Sequence, residues 1–197
     1  MTMLPQLPES LRYPQIEVAG SLLIRRFGEQ ELDVLYSIEL NSELKRFVQG
    51  SLPSDTSSWR VAVKQSADQE LQYFAVVRLS DGVIVGTCGL ILSASCKSDG
   101  SQKIYAEIRV ILKARDQTDS HERGLPVARE LIKLAEQYHP NSTITATVHS
   151  KNGAAIDIVA RLGDFRLADT CKIASCPEER WLVFHRSANS NSIDQED

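Results

Sequence analysis

The densest run of residues able to do chemistry is HERGLPVARELI, His121 to Ile132. A charged, polar stretch passes there through Gly124 and Pro126 into an apolar helical stripe. A helix start leaves several backbone N–H groups without partners at the positive end of the helix dipole, so a phosphate is favoured there. Gly124 lets a backbone come close to a ligand or take a positive φ. Pro126 suits a first helical turn, whose N–H has no helical partner, although it removes one donor that an anion could use. The same Gly-x-Pro is also common punctuation before an amphipathic helix. On these residues alone both readings stand.

Glu107 sits in the middle of KIYAEIRVIL, an apolar strand pattern in which an unpaired charge is expensive. Burial would raise its pKa toward neutrality and suit it to general-base work. Strand alternation offers a plainer reading, since Tyr105, Glu107 and Arg109 share one face, which is then simply the wetter one. His149 closes STITATVH as an acid–base candidate or an ordinary strand-end histidine, and Asn152 is well placed to cap a following helix. Cys88, Cys96, Cys171 and Cys176 form no CxxC pair and have no histidine at zinc-finger spacing. No metal is therefore expected, and the cysteines read as free thiols of a reducing compartment. A cysteine-acyl mechanism at Cys88 would need a paired base, and none is identifiable.

These residues must be positioned by a chain of 197 residues, enough for one domain with a real core. Hydrophobic residues at 42% and charged residues at 24% are ordinary for a globular protein. A net charge of −4 argues against nucleic acid as the main partner. No apolar run approaches the roughly 18 residues of a membrane span, so no membrane partner is expected. The start, MTMLPQLPESLRYPQ, has no apolar core of a signal peptide, which makes the cytoplasm the expected location.

The order of elements follows from periodicity. Residues 1–18 read as a polar surface arm, and SLLIRRF (21–27) as a short strand. Residues 29–48 place Leu32, Leu35, Ile38, Leu44 and Phe47 on one helical face, and residues 59–70 lean towards helix. QYFAVVRL and VIVGTCGLIL are strands joined at Ser80-Asp81-Gly82. A loop over 93–102, the strand KIYAEIRVIL and a polar loop over 113–123 follow. Val127, Ala128, Leu131, Leu134, Ala135 and Tyr138 then fall at helical spacing. STITATVH is a strand, 152–162 a shorter helix, and DFRLADTCKIA with RWLVFHR a hairpin around Pro177. The tail 188–197 is polar and expected to be disordered. The fold expected over 19–187 is α/β (α+β), with one mixed, mostly antiparallel sheet of six to seven strands and helices on both faces.

From Ser21 to Arg186 the chain resembles the GCN5-related N-acetyltransferase superfamily, in the branch that includes ribosomal-protein N-terminal acetyltransferases. YAEIRVIL stands as that family's central strand, HERGLPVARELIKLAEQ as its pyrophosphate loop and helix, and ATVHSKNGAAIDIVARLGDF as the next strand and helix. The resemblance implies acetyl-CoA as co-substrate, with the backbone of Val110, Ile111 and Leu112 pairing with its pantetheine arm. N–H groups of Arg123, Gly124, Leu125, Val127 and Ala128 would cradle the pyrophosphate, the Arg123 side chain would add charge, and Asn152 would contact the cofactor. Glu107 would be the base, and His149 an acid or base near the thioester.

The family loop usually runs Gln or Arg, two residues, Gly, one residue, Gly or Ala; here those places hold His121, Gly124 and Pro126. Val159 stands where many members carry a tyrosine that protonates the departing thiolate. The implied activity is N-acetylation of a primary amine, on a protein N-terminus or a small molecule, by a monomer or homodimer. The alternatives are a catalytically degenerate fold that binds a ligand or partner, and transfer of a longer acyl group.

Overall fold

The computed structural model describes residues 15–39, 57, 71–96, 102–113, 117–173 and 176–186. In chain order these form β1 (Ile16–Val18), β2 (Leu22–Arg25), a 3-10 turn (Glu29–Glu31), α1 (Leu32–Glu39), β3 (Leu71–Arg78), β4 (Ile84–Cys96) and β5 (Gln102–Leu112). They continue as α2 (Gln117–Tyr138), β6 (Thr143–His149), α3 (Gly153–Leu162), β7 (Arg166–Ile173) and β8 (Cys176–Arg186). The expected helix over 59–70, the tail and residues 1–14 of the arm lie outside the described residues, as does 40–48 of the first expected helix.

One eight-stranded sheet in the order β1-β2-β3-β4-β5-β6-β8-β7 organises the molecule. Every neighbouring pair is antiparallel except β5 and β6, which α2 joins as a parallel crossover. The eighth strand is β1: Ile16–Val18, read from sequence as the end of an arm, pair with β2 because Val18 faces the core beside Leu22 and Ile24. The sheet is covered on both faces. Val127, Ala128, Leu131 and Ala135 of α2 and Val159 of α3 bury one face with Phe74, Val76, Cys88, Leu90, Ala106, Ile108 and Ile144. On the other face, Leu32, Leu35, Tyr36 and Ile38 of α1 pack on Ala75, Val77, Ile84 and Ile111. Among the described residues no helix is long and apolar enough to cross a membrane.

The β3–β4 turn forms where Asp81-Gly82 predicted it. Gly82 takes a φ of 68°, and Asp81 ties the turn by accepting from the Arg78 guanidinium at 2.6 Å. Two expected loops are regular structure where they are described. At 93–96 the β4–β5 ladder continues to the pair Cys96↔Gln102, because a ladder is made by backbone and the exposed Ser93 and Ser95 do not oppose it; residues 97–101 lie outside the described residues. Over 113–123 the chain enters α2 at Gln117. QTDSHER contains no Gly or Pro to stop a helix. The β7–β8 turn falls between Ile173 and Cys176, so Pro177 lies within β8 rather than at the turn.

Candidate active site

β5 and β6 lie side by side over only three residue pairs, Tyr105↔Thr143, Ala106↔Ile144 and Glu107↔Thr145. Beyond them β5 stays on β4 through Leu112, while β6 stays on β8 through His149. The sheet is therefore split, and Glu107 stands at the apex of the split. Backbone N–H and C=O groups in such a gap lack the ladder partners that they have elsewhere in a sheet, so an extended amide-bearing ligand fits there as a missing strand.

Glu107 faces away from α2, since its neighbours Ala106 and Ile108 take the buried side. Burial pushes its carboxyl pKa up, while a hydrogen bond donated by the Thr147 hydroxyl and the nearby Arg109 charge pull it partly back. Net elevation is what a base working near neutrality needs. Arg109 lies 5.4 Å from the Tyr73 ring centroid, and Gly89, between them in the register, presents no side chain to separate the two. On the same face the rings of Tyr105 and His185 lie 5.8 Å apart, with Lys103 4.9 Å from the Tyr105 centroid. The Cys171 thiol is pushed up by burial and by Asp169 and Glu107, and that of buried Cys88 is pushed far up by burial. Neither is placed to supply a thiolate nucleophile.

The candidate cofactor residues are brought together, though not as expected. Val110, Ile111 and Leu112 form the splayed end of β5. A Cβ at Gly124 would stand 3.8 Å from Leu112 Cδ1 and 2.7 Å from Ile158 Cδ1, so the glycine allows α2 to seat on β5 and α3. The expected helix start at Gly124 is corrected: Arg123, Gly124, Leu125, Val127 and Ala128 lie inside α2, where N–H groups ordinarily bond carbonyls four residues back. Leu125, Val127 and Ala128 are buried there, and Pro126 is a helix-interior proline. Asn152 is the N-cap of α3, accepting from the Ala155 N–H at 3.1 Å. Val159 is buried in the core and supplies no proton where a tyrosine would.

His149, 2% exposed, accepts the Lys151 N–H at Nδ1 (3.1 Å), and its Nε2 lies 3.0 Å from Glu179 Oε2. Its ring meets Trp181 edge-on at 5.1 Å. Sequence reasoning missed Thr147 and Glu179. The signal for Thr147 was present, because Thr143, Thr145, Thr147 and His149 alternate along one face of STITATVH.

The family model for the acetyltransferase (GNAT) domain matches residues 21–164. The chain belongs to the GNAT acetyltransferase family. Its split strands and the helix crossing between them are thus the GNAT sheet, in a chain carrying a transferase domain. No curated protein matches this GNAT chain by sequence. Its structure is similar to a GNAT-family acetyltransferase from Bacillus anthracis, with TM-score 0.66 and 14% identity over 89% of this chain and 99% of that one. It is also similar to a ribosomal-protein-alanine N-acetyltransferase from Brucella melitensis, with TM-score 0.63, 16% identity and coverage of 84% and 99%. A spermidine/spermine N-acetyltransferase from Vibrio cholerae is similar with TM-score 0.64, 12% identity and coverage of 86% and 95%. At these identities the likeness is one of fold.

Proposed function

We propose that this GNAT protein transfers the acetyl group of acetyl-CoA to a primary amine, on a protein N-terminus or a small molecule, in the cytoplasm. The observation that carries the reading is the half-buried carboxyl of Glu107 at the apex of the β5–β6 split, where desolvation pushes its pKa up. The split fits an extended pantetheine arm along Val110–Leu112, and the Asn152-capped start of α3 supplies further polar groups at its far side. Acetyl-CoA supplies an activated thioester carbonyl. Glu107 takes the proton of the attacking amine, Thr147 holds the carboxylate in place, and a β5 N–H at the split polarises the carbonyl. With Val159 aliphatic, solvent or the substrate returns a proton to the departing thiolate.

Pyrophosphate binding at Gly124 requires the turns of α2 ahead of Pro126 to open, which places Pro126 in the first helical turn. Pro126 has no N–H for the carbonyl of Glu122, so this junction is held by one backbone bond fewer than the rest of the helix. The continuous α2 equally favours a second reading, a GNAT fold that binds a partner without catalysis.

Calorimetric titration with acetyl-CoA and a screen of amines for CoA release test both. Micromolar binding with amine-dependent release, lost about 100-fold or more in Glu107→Gln at unchanged acetyl-CoA affinity, supports the transferase. No binding at millimolar acetyl-CoA overturns it and leaves the binding module.

A further inference from the structure

The β6–α3 turn that carries Asn152 is tied down from an unexpected direction. The Asn152 N–H donates to the His149 carbonyl at 2.9 Å, and the Ser150 N–H to the Arg180 carbonyl at 3.0 Å. Between them the Lys151 N–H donates to His149 Nδ1 at 3.1 Å. An N–H pointing at Nδ1 requires that nitrogen to be unprotonated, so the neutral ring carries its proton on Nε2. Nε2 is the atom 3.0 Å from Glu179 Oε2. Glu179 lies on β8, two residues before Trp181, which pairs with His149 in the ladder and closes the ring's edge. With its Nδ1 and Nε2 committed in this way, and 2% exposure, His149 is poorly placed to exchange protons with a substrate.

We infer that His149 and Glu179 are a positioning pair: Glu179 fixes the imidazole, the imidazole fixes the Lys151 N–H, and the turn presents Asn152 and the first N–H groups of α3 to the split. The inference rests on the acetyl-CoA reading and assigns His149 a different part in it from the acid–base role that the family resemblance implies. Cutting the chain at Glu179 loosens the turn without touching Glu107, so it weakens acetyl-CoA binding and spares the transfer step.

The test is calorimetry with acetyl-CoA, together with KM and kcat for amine-dependent CoA release. Glu179→Ala is expected to raise the Kd and KM for acetyl-CoA about tenfold, the scale of one polar contact to a charged group, at unchanged kcat. Glu179→Gln, which keeps a side-chain oxygen beside Nε2, is expected to restore both. Should Glu179→Ala not fold, His149→Asn keeps an acceptor for Lys151 and loses the reach to Glu179, with the same rise expected. Wild-type affinity in these broken-pair variants, or a fall in kcat alone, overturns the pair. Failure of the wild-type chain to bind acetyl-CoA overturns the function reading, and with it the pair's role at the cofactor.

Discussion

Glu107 carries the largest consequence of any single residue. Its folded pKa is raised, so the folded state holds a proton where the unfolded chain, with its ordinary value near 4.5, has released it. Stability is therefore lost as pH rises from about 4.5 through the folded pKa, and is fully present below that window. Glu107→Gln is expected to raise Tm at pH 7.5 relative to wild type, to lose that advantage at pH 4, and to slow turnover about 100-fold or more. Thermal melts at the two pH values and a rate measurement check this. Thr147 stabilises the carboxylate, so Thr147→Val is expected to move the acidic limb of the pH–rate profile to higher pH; an unmoved limb would separate Thr147 from the base. Glu107 was legible from sequence because a carboxylate in YAEIRVIL is out of place. Thr147 stood on a face legible in the alternation of STITATVH, but its partner was not, because only the parallel register of β5 with β6 brings it to Glu107.

At the scale of elements, α2 is where sequence and structure part. The segment HERGLPV reads as a helix beginning at Gly124, whereas the helix begins at Gln117 and encloses Pro126. An interior proline costs about 3 kcal/mol relative to alanine. Pro126→Ala is accordingly expected to raise Tm by several degrees. If acetyl-CoA binding needs the turns ahead of Pro126 to open, the same change weakens that binding; a variant more stable and equally tight would show that α2 stays whole in the complex. Leu131, 0% exposed, holds the helix to the sheet, and Leu131→Ala is expected to cost about 2–5 kcal/mol in a denaturation experiment. The buried stripe of α2 was legible from its spacing. Its start was not, because helix boundaries are set by competition among weak signals, and a polar run without breakers extended the helix.

For the whole molecule, the far end of α2 predicts acid sensitivity. His139 is buried, its Nε2 has no hydrogen-bond partner among the described residues, and burial lowers its pKa from about 6.5. The unfolded chain therefore binds the proton more readily. This contribution to stability is complete above pH 6.5 and is lost as pH falls from there through the folded pKa. His139→Phe is expected to flatten the decline of Tm between pH 6.5 and 5, and an unchanged slope would place the acid sensitivity elsewhere.

The sequence by itself determined strands β2 to β8, the amphipathic faces of α1, α2 and α3, the hairpin at Asp81-Gly82 and the candidate base, since each depends on residues close along the chain. It also carried the family resemblance, through YAEIRVIL and the helix after it. Only the tertiary structure decided that β5 and β6 part after Glu107, that β1 joins the sheet, that Gly124 seats α2 on Ile158, and that Glu179 reaches His149. Apart from the short β1–β2 pairing, those contacts join residues tens of positions apart. Their partners are chosen by sheet register and side-chain shape, which no local pattern records.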